Sequence, residues 1–129
     1  MFSPWADLTL SGDSMTSKAA VDPALTPAGL RLRAADYGAG QPLDDPLLRP
    51  VFADLTGLPP LLIQAGSHEI LLDDATRRAA HAASADVQVS LEVTPGVPHV
   101  FQAFAALLAE AGAALDSAGA FIRAHLSAD

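Results

Sequence analysis

Two short segments carry the residue types of proton-transfer chemistry. Gly66-Ser67-His68-Glu69 offers a carboxylate, and Pro95-Gly96-Val97-Pro98-His99 offers an imidazole. A carboxylate beside a histidine fixes the ring's tautomer and stabilises the imidazolium formed when the ring takes a proton from a nucleophile. Glu69 and His99 are therefore the candidate acid and base of a catalytic triad. Asp73 and Asp74 are rival acids, but both sit where helix N-caps belong, and capping accounts for them without catalysis. His68, Glu69 and His99 could suggest a metal site, yet two histidines and one acid lack regular ligand spacing. His68 is expected to face solvent, and no metal or cofactor is expected. With no cysteine in the chain, thiolate nucleophiles, disulfides and sulfur-ligated zinc drop out.

The elements that must position these two loops follow from patterning. Pro59 to Ala65 is a compact apolar run ending at Gly66, of the kind buried on both faces of a parallel sheet. Ala75 to Ala83 is rich in helix formers, with Arg77 and Arg78 on a polar side. Val87 to Val93 alternates with period two before Pro95-Gly96 turns the chain, which predicts a second, edge-like strand. Ala106 to Leu126 has apolar residues near helical spacing and predicts a C-terminal helix, with His125 on its surface as His81 is on the helix before. Between Ser11 and Pro50, glycine and proline leave one helix, Pro27 to Tyr37, capped by Thr26 with proline at its first position. The rest of that segment reads as loop. Strand, helix, strand, helix with a right-handed crossover is one face of an open α/β sheet. Chemistry in such sheets sits at the C-terminal ends of strands, and neighbouring strands lie about 4.8 Å apart, so the two loops can meet.

Once these segments are set in order, the chain resembles a known family. Ser3-Pro4-Trp5-Ala6-Asp7-Leu8, Gly57-Leu58-Pro59-Pro60, Gly66-Ser67-His68-Glu69-Ile70-Leu71-Leu72-Asp73-Asp74 and Pro95-Gly96-Val97-Pro98-His99-Val100-Phe101 are similar to hormone-sensitive-lipase-like bacterial esterases. The resemblance runs through essentially the whole chain. It implies the C-terminal part of an α/β-hydrolase fold with an incomplete sheet. Residues 1–50 would hold a strand end, loops and a short helix, and residues 51–129 the strand-helix-strand-helix unit. It also implies a triad acid at Glu69 and histidine at His99, acting on small esters or lactones through an acyl-serine intermediate. Phe101, just past the histidine loop, is the expected substrate wall, whereas Trp5 and Phe104 are expected in the core.

The family's Gly-Asp-Ser-Ala-Gly elbow and His-Gly-Gly oxyanion loop are absent from this sequence. Gly12-Asp13-Ser14-Met15-Thr16 imitates the elbow's first residues. The elbow needs small residues after its serine and then a helix, but Met15 and Thr16 follow and Pro23 interrupts, so Ser14 is expected to be a loop serine. Alone, such a chain should be inert.

A formal charge of -8, from fifteen acidic against seven basic residues, disfavours nucleic acid and anionic lipid as partners. No signal-like segment opens the chain and no apolar run approaches the roughly 18 to 20 residues of a membrane span, so a cytoplasmic location is expected. The apolar start at Met1-Phe2 resembles a cut inside a larger domain. Two strands and two main helices are too few to cover both faces of a parallel sheet, so association is expected, with an N-terminal half of the hydrolase domain or with further copies. The rival classes are a non-enzymatic module that pairs through its sheet edge and an α/β-hydrolase peptidase.

Overall fold

The computed structural model describes residues 1–45 and 48–126 of the 129-residue chain. In chain order the elements are α1 (Ser14–Ser17), α2 (Pro27–Gly38), a 3₁₀ turn (Pro50–Phe52), β1 (Leu61–Gly66), α3 (Leu72–Ser84), β2 (Val89–Thr94), a second 3₁₀ turn (Phe101–Phe104) and α4 (Ala109–Leu126). β1 and β2 pair in parallel from Leu61↔Val89 to Gly66↔Thr94. Both strands therefore end level, and the loops that follow them leave from the same end of the sheet. On the other side of β1 the chain start adds a parallel bridge, Phe2↔Gln64.

Alternation along β1 divides its side chains between two helices. Ile63 and Ala65 pack on Ala75 and Ala79 of α3, while Gln64 turns toward α4 and donates to the Ala114 carbonyl at 2.8 Å. The buried alanines of α3, Ala75, Ala79 and Ala82, fall on one helical stripe, as do Ala111, Ala114 and Ala118 of α4. β1 is thus covered on both faces, whereas β2 is largely open, so the sheet is covered over one of its two strands. The apolar surface left open lies on Leu91 and Val93 of β2 and on Leu115, Ile122 and Leu126 of α4.

Thr26 caps α2 as its sequence predicts, accepting from the Gly29 amide at 3.1 Å with Pro27 at the first position. The segment expected to be mostly loop also folds the single turn α1. Met15, Leu30, Ile70 and Leu71 form a common core with Trp5, Leu10 and Leu25 partly buried against it, which clamps residues 1–30 onto the start of α3. Phe104, expected inside, is exposed.

Candidate active site

Gly66 closes β1 and decides how near the two loops come. A Cβ at this position would lie 2.2 Å from the Val97 carbonyl oxygen and 2.7 Å from that of Pro98, so only glycine lets the histidine loop cross here. Three hydrogen bonds stitch the loops: the Ser67 amide to Thr94 O at 2.9 Å, the His68 amide to Val97 O at 3.1 Å, and the Gly96 amide to Ser67 Oγ at 2.8 Å. The result is a contact of 2.6 Å between His99 Nδ1 and Glu69 Oε2.

Glu69 is fully buried, and a buried carboxylate is tolerated only when donors surround it. Its second oxygen, Oε1, accepts from the Gly66 amide at 2.9 Å and from Ser3 Oγ at 3.0 Å. An ionised carboxylate only accepts, so a hydrogen bond of this pair with Glu69 as carboxylate needs the proton on Nδ1, which in a neutral ring leaves the lone pair on Nε2. The His99 side chain is 22% exposed, and its Nε2 has no hydrogen-bond partner among the described residues. Val100, directly after the histidine, has φ 49°, a left-handed conformation rare for a β-branched residue.

The other residues singled out in the sequence lie elsewhere. Phe101 is fully buried among Val97, Ala111 and Ala114, so its ring anchors α4 beneath the histidine loop and offers no face to a substrate. Asp73 and Asp74 do not cap α3, whose N-cap is Leu71; they occupy its first turn. Asp73 accepts from the Ser14 amide at 2.9 Å, and Asp74 Oδ2 accepts from the amides of Ala6 and Asp7 at 2.8 and 2.9 Å. Both carboxylates reach back to the first loop of the chain. Ser14 is buried, and its hydroxyl donates to Ile70 O at 2.6 Å and accepts from the Asp73 amide at 3.1 Å, a structural role. His68 is half-buried, and the described residues hold no group of three or more potential metal ligands. His81 is not a free surface residue, because Nε2 meets Ala53 O at 2.8 Å. His125 is exposed and lies against Phe121.

Sequence reasoning passed over a second polar centre. Asp7, with no exposed side-chain surface, pairs with Arg49 at 3.1 Å and with Arg77 at 3.3 Å, and Arg77 also reaches Asp74 at 3.0 Å. Burial pushes the Asp7 carboxyl up, but hydrogen bonds from Ser11 and Thr9 and the charge of Arg49 outweigh it and hold the group at about 2. Asp74 goes the other way, its burial outweighing its hydrogen bonds and the nearby Arg77. A cavity of about 730 Å³ lined by Trp5, Leu8, Arg33, Asp36, Tyr37, Leu48 and Pro50 shares no residue with the Glu69–His99 pair.

Residues 1–103 match the family model described as the alpha/beta hydrolase fold. The chain belongs to the α/β-hydrolase family. Among curated relatives of this chain, an acetyl-hydrolase of Streptomyces hygroscopicus is 45% identical over 121 residues, covering 94% of this chain and 40% of its own length. An esterase of Acinetobacter venetianus is 41% identical over 117 residues, covering 89% of this chain and 38% of its own. A crystal structure of an esterase from the bacterial hormone-sensitive lipase family superposes with TM-score 0.95 at 41% identity, over 98% of this chain and 42% of that one. A hormone-sensitive-lipase homologue from a metagenome library gives TM-score 0.95 at 39% identity, with coverage of 98% and 44%. The two solved structures carry the name of the family that the motifs resemble. The chain spans about 40% of the length of the first of these relatives.

Proposed function

We propose that this chain is the C-terminal part of a serine carboxylesterase and supplies the acid and base of its triad, Glu69 and His99. The observation that carries the reading is the 2.6 Å contact between His99 Nδ1 and Glu69 Oε2, with Nε2 unbonded among the described residues. In the complete enzyme, Nε2 takes the proton of a serine hydroxyl as its oxygen attacks the ester carbonyl. Glu69 stabilises the imidazolium so formed. Collapse of the tetrahedral intermediate breaks the ester C–O bond, and the alcohol leaves with the proton from Nε2. Water then repeats the sequence on the acyl-serine, releasing the acid and restoring the serine hydroxyl. The serine and the oxyanion donors belong to the rest of such an enzyme, and without them no covalent intermediate forms and its charge has no partner.

Small carboxylic esters or lactones are the substrates this reading favours. The family membership and the names acetyl-hydrolase and esterase among the relatives support it. No helix among the described residues is long and apolar enough to cross a membrane. In the serine-bearing enzyme, His99→Ala should lower kcat on a p-nitrophenyl ester by at least about a thousandfold, and Glu69→Gln by roughly a hundredfold or more. If Asp73→Asn proves the more damaging acid change, the triad acid is not Glu69.

A further inference from the structure

The acid and histidine loops are joined by a side chain from neither of them. Ser3 Oγ donates to Glu69 Oε1 at 3.0 Å and accepts from the Val100 amide, also at 3.0 Å. One buried hydroxyl thereby spends its proton on the carboxylate and a lone pair on the backbone directly after His99. We infer that Ser3 is a positioning residue of the hydrolase, setting the rotation of the Glu69 carboxylate and the path of the chain at His99 together. The inference rests on reading Glu69 and His99 as acid and base.

The geometry gives this hydroxyl a task that the Gly66 amide alone cannot perform. Gly66 and Glu69 belong to the same turn, so their bond fixes the carboxylate relative to its own loop only. Ser3 comes from the other side of β1, where its amide donates to Gln64 O at 2.7 Å and the Gln64 amide donates to Met1 O at 2.9 Å. It thus refers both loops to the sheet. With two donors on Oε1, the other oxygen is left for Nδ1 of His99.

The backbone on both sides of this bond is strained. Ser3 has φ 41° and Val100 φ 49°, both left-handed without glycine. Proline at position 4 further disfavours such a conformation for the residue before it. Conformations of this kind persist where surrounding contacts over-determine them, and they gather at functional sites. Here the two strained residues are hydrogen-bonded to each other through the Ser3 side chain.

The test is nuclear magnetic resonance on the whole chain, following the low-field proton that a histidine Nδ1–H shows when it donates to a carboxylate. The wild type should show this resonance for His99, and Glu69→Gln should abolish it. Ser3→Ala removes the hydroxyl; Ser3→Gly removes it and also relieves the positive φ, so a folded variant is available even if alanine destabilises the loop. A hydrogen bond to a charged group is worth enough that both should speed solvent exchange of the His99 proton by roughly tenfold or more. Backbone amide shifts away from the two loops should stay in place. Exchange at the wild-type rate in either folded Ser3 variant, with the resonance still lost in Glu69→Gln, overturns the role of Ser3 and leaves the acid–base pair standing. Unfolding of both variants also overturns it, by assigning Ser3 to folding. A wild type without the resonance, or one that keeps it in Glu69→Gln, overturns the pair and the role of Ser3 with it.

Discussion

At the scale of single residues, two serines near carboxylates have different work. Ser14 follows glycine and aspartate as an elbow serine would, yet both of its hydroxyl bonds go to the turn before α3, at Ile70 O and the Asp73 amide. Ser14→Ala should therefore lower stability by about 1 to 3 kcal/mol, the cost of stranding a buried partner. It should leave hydrolysis by a serine-bearing enzyme unchanged. Chemical denaturation beside an ester assay checks both halves of this expectation. Glu69 and His99 stood out in the sequence because each lies in a loop that follows a strand pattern. The bonds of Ser3 and Asp74 did not, since their partners lie 66 to 68 residues away and no local pattern announces them. Phe101 was misread for a related reason. Its place next to the histidine loop says nothing about which way the ring points, and the small residues Ala111 and Ala114 of α4 open the space it fills.

Among elements, the meeting of the two loops depends on Gly66 more than on the strands. The parallel pairing could be read from Pro59–Ala65 and Val87–Val93, and the strands form two residues and two residues later, at Leu61 and Val89. α3 starts at Leu72, one residue before the aspartates expected to cap it, because those carboxylates are engaged by Ser14, Ala6 and Asp7 amides from the first loop. Their place in the first turn still suits the positive end of the helix. What the sequence could not display was how closely Val97 passes over the end of β1. Gly66→Ala would set a methyl carbon 2.2 Å from a backbone oxygen, which cannot swing aside as a flexible side chain would. The loops must part, at a cost of about 1 to 3 kcal/mol. Thermal unfolding should show that loss, and the His99–Glu69 contact should weaken in the same variant.

Over the whole molecule, charge and uncovered apolar surface set the behaviour. Asp7 is held at about 2 against an ordinary 3.8, so its contribution to stability is complete above the unfolded value and disappears as pH falls toward the folded one. Asp74, raised by burial, has the opposite sign: its ionisation costs stability as pH rises, and acid relieves it. Denaturation between about pH 4 and pH 2 should therefore be less steep in pH for Asp7→Asn than for the wild type, and an equal slope would remove Asp7 from the account. Leu91 and Val93 on β2, the outer side of Phe2, and Ile122 and Leu126 on α4 form the surface through which we expect the isolated chain to associate. Sedimentation showing a cooperatively unfolding monomer at micromolar concentration would count against that.

The central claim, that this chain provides the acid and base of a serine esterase, meets its most direct test in a chimera. The matching 121 residues of the Streptomyces hygroscopicus acetyl-hydrolase would be replaced by this chain, and hydrolysis of a p-nitrophenyl ester measured. We expect a folded chimera that turns over the ester and loses at least about a thousandfold in kcat with His99→Ala, while this chain alone shows no turnover. A folded chimera whose turnover is indifferent to His99→Ala would contradict it.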